Sequence, residues 1–178
     1  MKQFYILFAL LGLSCSYPET DVDTNCLGKS NDPEIMGEGA LLRNAQSLVG
    51  SIAADDLYHS MDKSYYVALH WEQQPFYLIG GKLAKNVANL YFFEKNGQSK
   101  TDISSLNNVG VYMKMHGGHD NGKNNKKEMS VEKVSDNHFK VKNILFNMHE
   151  TWELKFTPLT EAGSLAETEV CFYVEKSK

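Results

Sequence analysis

From Ser64 onward the chain is a succession of short runs in which apolar residues return at every second position. Tyr65, Val67, Leu69 and Trp71 alternate with Tyr66, Ala68 and His70, the period of a strand with one buried face. Pro75 breaks that run. Lys85 to Glu94 (KNVANLYFFE) is a second strand, rich in β-branched and aromatic residues, and Lys95-Asn96-Gly97-Gln98 is a turn of the Asn-Gly kind. Asn108 to His116, Met129 to Val134, His138 to Asn147, Glu150 to Pro158 and Thr168 to Lys176 read as further strands, with a turn at Ser135-Asp136-Asn137. No long helical stretch lies between them, which excludes a parallel βαβ sheet. The pattern predicts an all-β domain, an antiparallel sandwich or barrel.

The first third of the chain has a different texture. Lys2 followed by the apolar run Phe4 to Leu13 reads as an export signal, too short to span a bilayer. It ends at Leu11-Gly12-Leu13-Ser14-Cys15, which is similar to a bacterial lipobox with Gly12 in place of the usual Leu. The expected outcome is cleavage before Cys15 and acylation of its thiol. That would give a lipid-anchored protein of the cell envelope facing the periplasm, with an envelope protein as its expected partner. An ordinary signal peptide with an incidental cysteine is the other reading. Residues 15–36 are polar and aperiodic, with Pro18 and Pro33, as befits a flexible tether. Leu41, Leu42, Ala45, Leu48, Val49 and Ile52 recur at helical spacing, so 37–62 is expected to be a short helical or capping segment before a sandwich over 63–178.

A net charge of −4 and a pI near 5.9 argue against nucleic-acid binding, which needs a basic face. If Cys15 carries lipid, Cys26 and Cys171 remain as a pair in an oxidising compartment. A disulfide between them would pin the N-terminal segment to the last strand; two separate thiols are the alternative.

The candidate chemistry sits at two strand ends. One is Tyr112-Met113-Lys114-Met115-His116-Gly117-Gly118-His119 and the other Phe146-Asn147-Met148-His149-Glu150-Thr151-Trp152. Strand parity puts Val109, Val111, Met113 and Met115 on one face, and Tyr112, Lys114 and His116 on the other. Ile144, Phe146 and Met148 share a face in the second stretch, before Trp152, Leu154 and Phe156 begin the next row. If the two ends meet, Met115, His116, His119, Met148 and His149 would converge, with Met113 one pleat deeper in reserve. Thioethers with one or two imidazoles suit Cu(I), and the lack of a thiolate argues against a blue-copper centre. Core methionines beside a solvated His-Gly-Gly-His loop account for the same residues without metal. There is no Gly-x-Ser-x-Gly, no His-Glu-x-x-His and no phosphate-cradling loop, so a carrier or buffer is expected rather than an enzyme. A non-metal envelope scaffold or interaction module is the rival.

The run Gly110 to His119, then Phe139-Lys140-Val141-Lys142-Asn143-Ile144-Leu145-Phe146-Asn147-Met148 and Trp152-Glu153-Leu154, resembles the YtkA-like/FixH-like domain. The resemblance covers roughly Ser64 to Phe156. It implies an immunoglobulin-like β-sandwich in an exported or membrane-anchored protein, and some members are associated with copper handling or respiratory oxidase assembly. Met113, Met115, His116, His119 and Met148 match its pattern. Tyr112 and Lys114 stand where Trp and Pro are common, and His149 is local to this chain.

Overall fold

The computed structural model describes residues 57–94, 103–115 and 129–177. Their regular structure is almost all strand, with one 3-10 turn at Ile103–Ser105 and short connecting turns. The alternation along the sequence becomes a two-sheet sandwich. The first sheet holds β1 (Leu57–His59), β2 (Tyr65–Trp71), β5 (Asn86–Glu94), β8 (His138–Ile144) and β7 (Ser130–Ser135), in the spatial order β1-β2-β5-β8-β7 and all antiparallel. The second is centred on β9 (Thr151–Thr160), with β6 (Asn108–Met115) on one side and β10 (Gly163–Ser164) and β11 (Thr168–Tyr173) on the other. β3 (Phe76–Ile79) and β4 (Lys82–Leu83) form a hairpin, against which β12 (Glu175–Ser177) lies parallel. This small sheet is an exception to the antiparallel rule.

The inward faces of both large sheets form one core. Val67, Leu69, Ala88, Leu90, Phe92, Phe139 and Val141 come from the first; Val109, Met113, Trp152, Leu154, Phe156 and Val170 from the second. Side chains alternate in and out, so a one-residue slip would turn each row toward solvent, and this fixes the register. Tyr65 ties the layers together: its hydroxyl donates to the Ala166 carbonyl and accepts from Thr168 Oγ1 at 3.1 Å. Burial pushes that phenol above the usual tyrosine range.

The structure differs from the sequence expectations in several places. Residues 57–59, assigned above to the helical or capping segment 37–62, are strand β1, paired with Tyr66 to Ala68; 37–56 lie outside the described residues. Pro75 is followed at once by β3, not by a loop. Gly80 and Gly81 (φ 57° and 77°) close the β3–β4 hairpin in two residues, a turn requiring positive φ at both positions. β8 ends at Ile144 rather than Asn147; Asn143, left-handed at φ 57°, sits where the β5–β8 register shifts between Asn86 and Ala88, and Ile144 beyond it still pairs with Asn86.

Candidate metal site at one end of the sandwich

β6 and β9 run antiparallel in a register that sets Met113 opposite Leu154, Lys114 opposite Glu153 and Met115 opposite Trp152. The last residue of β6 therefore lies beside the first residues of β9, and the 145–150 loop that precedes β9 sits at the same end of the sandwich. Among the described residues, the end of β6 and the start of β9 thus meet.

An aromatic cluster supports this end. Phe146 packs against Trp71, Trp152 and Phe172, with ring centroids 6.1, 5.2 and 5.5 Å away, and Trp71 lies 5.0 Å from Phe172. Tilted and edge-on contacts of this kind hold rings in fixed orientations. Trp152 Nε1 donates to the Met148 carbonyl at 3.1 Å, so the buried indole fixes the loop backbone. Val174 N donates to the Glu150 carbonyl at 3.0 Å from the other side. Above this floor, Tyr77, Asn147, Met148, His149 and Glu150 line an open cleft of about 270 Å³. The His149 ring stacks on Tyr77 at 5.7 Å.

The individual candidate ligands fare differently. Met113 is 1% exposed and enclosed in the core. Met115 faces the same way at the core's rim, 6% exposed. Met148 was expected on the row of Ile144 and Phe146. Those two are fully buried, whereas Met148 is 42% exposed, because it lies beyond the end of β8 in the loop before β9, where strand parity no longer applies. Met148 and His149 share the cleft. His116, His119, Cys15 and Cys26 lie outside the described residues.

The outward face of the same sheet carries a charged cluster that the sequence reading did not single out. Glu153 is bridged by Lys114 at 2.6 Å, and Lys155 bridges Glu169 at 2.7 Å and Glu167 at 2.9 Å. Glu169 and Glu167 together hold the Lys155 ammonium above the usual lysine range, against the opposing effect of its partial burial. Glu153, Glu169 and Cys171 have donor atoms within 4.8 Å of one another, but both carboxylates are engaged by lysines. Cys171 is disulfide-bonded, with a partner outside the described residues, so it offers no thiolate. The sequence signal was outward parity: Glu153 and Cys171 sit opposite each other in the ladder, each between core residues.

The fold and this end define a β-sandwich module with a cleft between a hairpin and an interstrand loop. No family model matches the chain, and no curated protein matches it.

Proposed function

We propose that this chain is an exported, lipid-anchored β-sandwich protein that binds copper as Cu(I) at the β6–β9 end, as a carrier or buffer. The observation that carries the reading is the register of Met115 opposite Trp152, which brings the end of β6 to the loop holding Met148 and His149. Met148 and His149 already share one cleft. Met115 supplies a thioether from the core's rim, and His116 and His119 follow it directly in the chain. Thioether and imidazole donors favour the monovalent ion. Met113 drops out of the ligand set, because its side chain is enclosed by apolar neighbours.

The test is titration of the protein with Cu(I) against a competing chelator. Met148→Ala with His149→Ala should weaken binding at least about tenfold, the scale expected for losing one or more ligand contacts of about 1.4 kcal/mol, with the fold intact. Absent binding in the parent chain, or unchanged binding in the variant, would sink the proposal. The burial of Met113 and Met115 favours one rival, an envelope scaffold or interaction module in which these residues are structural, and absent binding would leave that reading standing.

A further inference from the structure

The β3–β4 hairpin ends in open space. A Cβ placed on Gly80 or Gly81 would meet nothing within 4 Å. Beside the turn, Ile79 is 40% and Leu83 51% exposed. They stand on opposite faces of the hairpin, Ile79 opposite Lys82 and Leu83 opposite Leu78, so their exposed apolar surface flanks the turn on both sides. The charge around them is one-sided. Lys82 is at the tip, opposite Ile79, and Lys85 is exposed where the hairpin returns to the body. Between Glu72 and Glu94 the chain has no acidic residue, although its net charge is −4. Lys176 lies on β12, whose neighbours Glu175 and Ser177 pair with Phe76 and Leu78. The nearby acids, Glu150 in the cleft beside Tyr77 and Glu175 opposite Phe76, are at the base, away from the tip.

We propose that the β3–β4 hairpin is a membrane-contacting finger that dips Ile79 and Leu83 into an anionic lipid surface. The layering matches the anatomy of an interface. The tip presents Ile79 and Leu83 with Lys82 beside them, whose stem can lie along the apolar layer while its ammonium reaches the headgroups, and Tyr77 and Lys85 stand behind. An anionic leaflet draws lysines near its surface, and burial of the aliphatic tip adds the apolar part. Contact through so small an area is weak and reversible, which suits a second point of attachment where the chain is lipid-anchored as proposed above. The inference uses no metal and is independent of the copper reading.

The experiment places a local reporter at the tip. In the full chain carrying Ile79→Trp, emission is read as the difference from the parent chain, whose Trp152 is fully buried and whose Trp71 is half-buried in the aromatic cluster. Vesicles of phosphatidylglycerol and phosphatidylcholine with brominated acyl chains should shift the new emission to the blue and quench it. Adding Lys82→Glu and Lys85→Glu should weaken this partitioning at least about tenfold, and pure phosphatidylcholine should do the same. Because the reporter is local, sedimentation of the chain through some other segment cannot imitate the signal. Unshifted, unquenched emission on anionic vesicles would overturn the proposal, as would equal quenching on neutral vesicles or in the lysine-reversed variant.

Discussion

Met115 stands directly opposite Trp152 in the β6–β9 ladder, and the same indole holds the Met148 carbonyl. One buried side chain thus adjoins both strand ends. Trp152→Phe keeps the aromatic packing against Phe146 but removes the Nε1 donor. It should cost about 0.5–1.5 kcal/mol of stability, the net value of such a bond, measured by denaturant unfolding. On the copper reading it should also weaken Cu(I) competition while leaving Met148 and His149 in place, so a stability loss with unchanged affinity would show that the loop does not need the indole.

The methionines should separate cleanly in stability. Met113→Ala empties a site that is 1% exposed and should cost about 2–5 kcal/mol. Met148→Ala, at a side chain 42% exposed, should stay within about 0.5 kcal/mol. Paired urea melts check this, and equal losses would contradict the inward and outward assignments.

Acid should unfold the protein in two stages. His138 stacks on Tyr91 at 4.1 Å and its Nε2 meets Asn89 Oδ1 at 3.0 Å. Burial, and secondarily the Lys140 charge, lower its pKa. The unfolded state therefore takes up the proton first, so His138 stabilises fully above its ordinary value of about 6.5 and loses that contribution as pH falls toward the lowered folded value. Glu72, bridged to Lys140 at 2.7 Å, is also lowered by that lysine. At Asp62 the slight burial would raise the pKa, but hydrogen bonds from Ser60 and Ser64 outweigh it and lower it. These carboxylates stabilise above the ordinary carboxylate range and lose that effect as pH falls through their lower folded values. Melting temperature against pH should begin to fall below about 6.5 and steepen below about 4; His138→Gln should abolish the upper part of the decline alone.

Reducing the Cys171 disulfide should lower the melting temperature, since removing a native disulfide costs about 2–5 kcal/mol. Thermal melts with and without a dithiol reductant measure it. Thiol labelling of the unreduced, denatured protein should leave Cys171 unmodified. Peptide mapping of the unreduced chain then identifies its partner, which the expectation above names as Cys26.

The sandwich was legible because alternation is a local signal that burial enforces. Val109 and Met113 face the core while Tyr112 and Lys114 face out, as parity alone predicts. Where a single backbone conformation decided the outcome, the pattern failed. Asn143 reads as one more strand residue, yet its left-handed backbone marks a register shift inside β8, and the ladder stops at Ile144, which leaves Met148 in a loop. The Gly80-Gly81 turn was a readable hairpin signal, obscured by treating Pro75 as a break. Leu57 to His59 lay at the end of a helical period and were absorbed into it, although their backbone pairs with β2. The charged cluster around Glu153 was hidden for another reason: its members are spread over three strands and meet only through the ladder.

Asn86 gives the molecule a mechanical property that its strand order alone would not suggest. Its buried amide accepts from Phe76 N and donates to the carbonyls of Phe76, Ala84 and Ile144. The root of the β3–β4 hairpin and the last residue of β8 are thus riveted to one side chain. The hairpin and the strand end from which the 145–150 loop departs therefore share one anchor, and Asn86→Ala would loosen both at once.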